Sequence, residues 1–201
     1  ASFSDFAVAE QLPTVPASSL RFDGVDDNVS VASGFPAPTN ELSYEAWIYP
    51  ESINNLPNTY NVILDMDSWA PGEVHFQFAG GSLQFALAFV GDYYSTYSFS
   101  PNNWYHVAVT YSANTGQLRF YVNGSMTDEY TVPTPPTVAG GVPFHIGSWN
   151  GNDRFFHGSI EELRVWNRVL CNDEIASTMN CEFPSAQPGL VAVYNFNQGF
   201  N

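Results

Sequence analysis

From Leu20 onward the hydrophobic residues recur with a period of two. In LSYEAWIY (42–49), Leu42, Tyr44, Ala46 and Ile48 fall on one face of an extended chain, with Ser43, Glu45, Trp47 and Tyr49 on the other. LRF (20–22), NVSVA (28–32), YNVILDM (60–66), EVHFQFA (73–79) and SLQFALAFV (82–90) read as strands by the same criterion. So do WYHVAVTY (104–111), QLRFYVN (117–123), VPFHIG (142–147), SIEELRVWN (159–167) and GLVAVYNF (189–196). Turn signals separate them at roughly 8–12-residue spacing, the mark of an all-β sandwich or barrel. Asn123-Gly124 predicts a type I′ hairpin, because both central residues of that turn need positive φ. No βαβ rhythm occurs, which argues against a parallel α/β sheet. The single helix candidate is NDEIASTMN (172–180), with Asn172 as its cap and Asp173 and Glu174 near its positive end. Residues 1–19, with Pro13 and Pro16, read as a lead-in or edge strand. Residues 20–201 read as one domain, since strands resume directly after the PTPP stretch (133–136).

Composition narrows the partners. Twenty acidic residues against five basic ones give a formal charge of −15 over 201 residues. All five bases are arginine (Arg21, Arg119, Arg154, Arg164, Arg168). Such a chain cannot neutralise phosphates, so nucleic acid and anionic membrane surfaces are excluded as partners. No apolar run reaches 18 residues, so membrane insertion is not expected. Charged residues are 12% and aromatics 16%, which leaves the surface to Ser, Thr, Asn, Gln and Gly. The chain opens at Ala1 without a basic or apolar leader, so any signal peptide is expected to have been removed. A lysine-free acidic surface points to an exported, secreted or cell-surface protein.

Cys171 and Cys181 bracket the helix candidate. A disulfide between them suits an oxidising compartment and would stabilise by roughly 2.5–3 kcal/mol. Ten residues of helix span roughly 15 Å, whereas a disulfide needs Cα atoms within about 7 Å. The pairing therefore requires a short helix and a chain that doubles back; two free thiols are the alternative. No histidine lies nearby to complete a zinc site.

The ordered blocks LRFDGVDDNVSV (20–31), LSYEAWIYP (42–50) and WYHVAVTYSANTGQLRFYVNG (104–124) resemble the laminin-G-like jelly-roll domain. HIGSWNGNDRFFHGSIEELRVWNRVLCNDEI (145–175) and PGLVAVYNFNQG (188–199) continue the resemblance over roughly residues 20–199. It implies a concanavalin A-like antiparallel β-sandwich of two sheets, with one short helix near 172–180. It also implies extracellular placement, neighbouring domains in a larger chain and frequent bound calcium. The cysteine-bracketed variant resembles modules of large exported bacterial proteins.

Two constellations carry candidate chemistry. In Asp23-Gly24-Val25-Asp26-Asp27, three carboxylates gather within five residues around a bending glycine, as calcium loops do. The resemblance implies that Glu161, on a late strand, lies near this turn and that the calcium would be structural. A solvated Asx turn is the alternative. The second constellation is a set of rim loops: Asp65, Asp67 and Trp69; Asp92, Tyr93 and Tyr94; Trp149, Asn150, Asn152 and Asp153. Asp65 and Asp67 are further calcium candidates. The others suit a glycan, because flat aromatics match the apolar faces of sugar rings. Trp47, Trp104 and Trp166 lie in strand motifs and read as core. The scattered histidines (75, 106, 145, 157) form no HExxH.

Glycan-cleaving relatives of this fold carry ExDxE or ExDxxE on one strand, and alginate lyases carry Gln-x-His; neither string occurs, nor does GxSxG. The expected function is a non-catalytic extracellular carbohydrate-binding or adhesion module for a glycan or glycoprotein, with calcium. The alternatives are a structural or protein-interaction module with only structural calcium, and a polysaccharide-degrading enzyme.

Overall fold

The period-two segments pair into two antiparallel sheets. The computed structural model describes residues 19–32, 34–54, 60–183 and 186–197. Its elements are β1 (Leu20–Asp23), β2 (Val29–Val31), β3 (Glu41–Pro50), β4 (Tyr60–Met66), β5 (Val74–Ala79), β6 (Ser82–Leu87) and β7 (Gly91–Tyr94). They continue with β8 (Tyr105–Ser112), β9 (Gln117–Val122), β10 (Ser125–Thr131), β11 (Phe144–Ile146), β12 (His157–Trp166), α1 (Asn172–Thr178) and β13 (Leu190–Tyr194). One sheet has seven strands, ordered β1-β12-β3-β8-β9-β10 with β13 also on β12; the other has six, ordered β2-β11-β4-β5-β6-β7. The expected lead-in lies outside the described residues, apart from Ser19.

The sheets bury a common core. Leu42, Tyr44, Ala46 and Ile48 of β3 and Val107, Val109 and Tyr111 of β8 meet Ile63, Leu64, Phe76, Phe78, Leu83 and Phe85 from the six-stranded sheet. The hairpin at Asn123-Gly124 joins β9 to β10 with φ of 50° and 76°, as its sequence requires.

Two strands escape the periodicity. The sequence reads as a loop at β7 and predicts no strand at β10, yet each forms the outer edge of its sheet. An edge strand packs against one neighbour only, so it needs little apolar alternation. The helix is capped one residue earlier than expected: Cys171 is the N-cap, and Glu174 Oε2 accepts its backbone N–H at 2.9 Å.

The expected Cys171–Cys181 disulfide is not formed; both thiols are free and exposed. After α1 the Cys181 N–H donates to the Thr178 carbonyl at 2.9 Å, and the Cys181 thiol donates to the Ser177 carbonyl at 3.6 Å rather than meeting Cys171.

Candidate functional site

The outer faces of the two sheets differ, and that difference locates the site. On the seven-stranded sheet, the segment after β12 lies across the outward side chains of β3. Ser43 Oγ donates to the Arg168 carbonyl (2.9 Å) and accepts from Leu170 N (2.9 Å), while Trp47 Nε1 donates to the Met179 carbonyl (2.7 Å). Beneath this segment Arg164 is buried between Glu162 (2.9 Å) and Glu45 (3.4 Å), and it also donates to the carbonyls of Thr178 and Cys181. Trp166, Leu170 and Ile175 seal the layer.

The outer face of the six-stranded sheet instead carries an open cleft of about 230 Å³. Alternation builds its floor. Val74, Phe76 and Phe78 of β5 point into the core, so His75 and Gln77 point outward; Leu83 and Phe85 of β6 likewise turn Gln84 and Ala86 outward. Gln77 donates to Gln84 (2.6 Å), and Gln84 donates to the Tyr94 hydroxyl (2.8 Å). The Gln77 Oε1 acceptor has no hydrogen-bond partner among the described residues.

Under the floor, Asp65 is fully buried, with Oδ1 at 2.9 Å from His75 Nε2. That nitrogen is shared, lying also 3.1 Å from the Ser68 carbonyl. Burial pushes the Asp65 carboxyl up to about 6, against the opposing pull of His75.

Two loops raise the walls. Between β4 and β5, the buried Glu73 gathers the backbone: its Oε2 accepts from Ser68 N (3.1 Å), Ser68 Oγ (2.8 Å) and Ala70 N (3.0 Å). This holds Trp69 edge-on over His75, with ring centroids 4.7 Å apart. Phe89, which is 74% exposed at the β6–β7 turn, stands 6.3 Å from Trp69.

The opposite wall is a tight turn closed by Asn152 N to the Trp149 carbonyl (3.0 Å), with Asn150 and Gly151 at φ 51° and 67°. Arg154 follows at φ 54°, anchored by its carbonyl accepting from Val62 N (3.0 Å). Its guanidinium lies between the rings of Tyr60 (4.3 Å) and Trp149 (4.4 Å). Asp92, exposed on β7, lines the far side.

Of the residues expected to bind ligand, Trp69, Asp92 and Trp149 line this cleft. Tyr94 lies on the same face and takes part in the floor network. Tyr93 does not belong to it, because alternation along β7 turns it inward against Tyr130 (5.4 Å) and the core. Asn150 and Asn152 sit at the turn tip, where Asn152 Nδ2 donates to the Asn150 carbonyl (2.8 Å), and Asp153 accepts from Arg154 N (2.8 Å); all three hold the loop rather than line the cleft. The sequence reading missed Tyr60, His75, Gln77, Gln84, Glu73 and Arg154. The outward His75, Gln77 and Gln84 could have been found, since polar residues alternate there with buried aromatics.

The calcium candidates separate into two groups. Among the described residues, only Asp23, Asp26 and Asp27 form a group of three whose ligand atoms lie within 4.8 Å of one another. Backbone bonds already shape this turn: Asp23 Oδ1 accepts from Val25 N (2.8 Å) and Asp27 Oδ2 from Asp23 N (2.9 Å). Bonds to the Val25 N–H foremost hold the Asp23 carboxyl below its ordinary value. Gly24 bends the turn with φ 79°. Glu161 does not join this group. In the β1–β12 register Asp23 faces His157, four residues from Glu161, which is buried opposite Trp47. Asp65 and Asp67 are not brought together as a metal site, because each faces its own histidine, His75 at 2.9 Å and His145 at 3.3 Å.

Comparisons with known proteins place the fold. A solved structure from Bacteroides ovatus, assigned as a carbohydrate-binding protein, superposes with a TM-score of 0.71 at 22% identity, covering 91% of this chain and 52% of its own. The heptameric pentraxin of Limulus polyphemus gives 0.69 at 15% identity, covering 90% and 88%. The carbohydrate-binding module of the Ruminococcus gnavus IT-sialidase, bound to α2,3-sialyllactose, gives 0.58 at 14%, covering 75% and 95%. Neuronal pentraxin-2 of Cavia porcellus is 26% identical over 95 residues, which are 43% of this chain and 22% of that protein. This chain thus spans about a fifth of the curated relatives it matches. The laminin-G-like family model, described as the concanavalin A-like lectin/glucanases superfamily, matches residues 23–176. With its two-sheet jelly roll, the chain belongs to the concanavalin A-like lectin/glucanase superfamily.

Proposed function

We propose that this chain is a non-catalytic, extracellular carbohydrate-binding module that holds a sugar in the cleft of the six-stranded sheet. One observation carries the reading: two half-buried indoles, Trp69 and Trp149, wall a floor of amides in the open cleft on the outer face of the six-stranded sheet. Indole faces match the apolar faces of a pyranose, and the amide floor matches its hydroxyls. Carbohydrate-binding modules among the similar structures support it.

A catalytic role fits the site less well. Ser30, His145 and Asp67 form a row (3.2 and 3.3 Å), but the Ser30 hydroxyl has a second acceptor in Asn28 Oδ1 at 3.1 Å and none of the three lines the cleft. Calcium belongs to the proposal at the Asp23 turn. Two oxygens on opposite sides of one calcium lie about 4.6–5.2 Å apart, so three carboxylates within 4.8 Å of one another fit it. Its role there would be to clamp the turn between β1 and β2.

The test is a glycan array with calcium present, followed by calorimetry on the strongest hits. Trp69→Ala and Trp149→Ala should each weaken binding by at least about tenfold, with the unfolding temperature tracked to exclude misfolding. No binding across neutral and acidic glycans would overturn the reading in favour of a protein-interaction module. Released oligosaccharide would overturn the non-catalytic part.

A further inference from the structure

The five arginines of this acidic chain are not equivalent. Arg21 is paired with Glu51 (2.9 Å), Arg119 with Glu129, Arg164 with Glu162 (2.9 Å) and Arg168 with Glu174 (2.9 Å). Arg154 has no carboxylate within ion-pair distance and no side-chain hydrogen bond among the described residues. It is nevertheless fixed in place, its guanidinium stacked between Tyr60 and Trp149 at 4.3 and 4.4 Å. Stacking occupies the faces of a guanidinium and leaves its edge donors free, in a fork that matches a planar oxyanion. The position also holds an arginine in the left-handed backbone region, a conformation non-glycine residues seldom adopt.

The rest of the cleft sets what accompanies that anion. The Gln77 Oε1 acceptor and the Trp149 Nε1 donor are both buried without partners among the described residues. Buried polar atoms normally have partners, and a sugar hydroxyl can serve as either. Asp92 lies on β7, three strands from β4 and so about 14 Å across the sheet. Its carboxylate repels an anion at that end and accepts hydroxyls there. The cleft volume of about 230 Å³ lies below the roughly 300–1,000 Å³ of drug-sized ligand sites, so it fits a short saccharide rather than a long stretch of chain.

We propose that the cleft selects an acidic saccharide, with the sugar carboxylate on Arg154 and hydroxyls on Gln77 and Asp92. This rests on the glycan-binding reading and adds the class of sugar. Matched probe pairs test it by calorimetry: a galacturonate trisaccharide against the neutral galactose trisaccharide, 3′-sialyllactose against lactose, and a sulfated galactose oligosaccharide as a third arm. At least one carboxylated probe should bind about tenfold or more tighter than its neutral counterpart. Arg154→Gln should collapse that ratio towards one, and Arg154→Lys should restore it only in part, because an ammonium lacks the fork.

The outcomes separate cleanly. No binding by any probe sinks the glycan reading itself. Equal binding of acidic and neutral partners, or a ratio untouched by Arg154→Gln in a folded protein, sinks the acidic selectivity alone. Arg154-dependent binding of the sulfated probe without the carboxylated ones refutes the carboxylate assignment.

Discussion

Asp65 sits beneath the cleft with Oδ1 at 2.9 Å from His75 Nε2 and with Oδ2 unpartnered among the described residues. Burial dominates its titration and raises its carboxyl to about 6 from 3.8. A raised carboxyl works against the fold once ionised. The native state keeps the proton that the unfolded chain releases near 3.8, so the stabilising contribution is complete below that value. It is lost as the pH rises to about 6. At 1.36 kcal/mol per pH unit, the difference amounts to about 3 kcal/mol. Asp65→Asn removes the ionisation while keeping size and one acceptor. Urea denaturation from pH 4 to 7 should therefore show the variant gaining on the wild type as pH rises, by up to about 3 kcal/mol. Parallel curves would mean that the Asp65–His75 contact fully offsets the burial. The surrounding residues were legible to different degrees. Trp69, Asp92 and Trp149 stood out in sequence as aromatics and acids near strand ends. Arg154 did not, because its meaning depends on Tyr60, brought to it across 94 positions by the docking of the 147–156 loop on β4.

Strand elements were legible where a face is buried on both sides of a turn signal, as in β3, β4 and β8. They were not legible at β7 and β10, the outermost strands, where pairing rather than burial maintains the extended chain. The helix end misread at Asn172 has a similar cause. Its cap is set by Glu174 reaching back to Cys171, and Glu174 is itself held by Arg168 at 2.9 Å. The loop from Asp67 to Gly72 extends this point to function. One buried carboxylate, Glu73, receives two backbone N–H groups and a hydroxyl and so fixes the Trp69 wall. Glu73→Ala would strand those donors at a cost of about 1–3 kcal/mol. We expect the variant to stay folded, with Trp69 more mobile by fluorescence anisotropy and glycan affinity reduced. Unchanged anisotropy would show that contacts with His75 and Phe89 suffice to hold the indole.

At the scale of the whole molecule, charge and architecture combine. The formal charge of −15 disfavours the compact state by self-repulsion, and four of the five arginines are already committed to glutamates. Part of the excess is concentrated where β1 turns into β2, at Asp23, Asp26 and Asp27, which the backbone already pre-forms through Val25 N and Asp23 N. A divalent cation bound there would stabilise by mass action, about 2.7 kcal/mol at a concentration 100 times its Kd. For a domain of this size each kcal/mol moves the Tm by about 2–4 °C, so calcium should raise it by about 5–10 °C. Magnesium or sodium at matched ionic strength isolates plain screening, because Mg²⁺ demands tighter octahedral geometry than an open carboxylate turn offers. Asp26→Asn together with Asp27→Asn should abolish the calcium-specific part while leaving the screening part. If calcium and sodium at equal ionic strength give the same Tm, the turn is an Asx turn held by its own backbone. In that case the acidity of the chain acts on solubility and on its choice of partners, with Arg154 as its one arginine outside a carboxylate ion pair among the described residues.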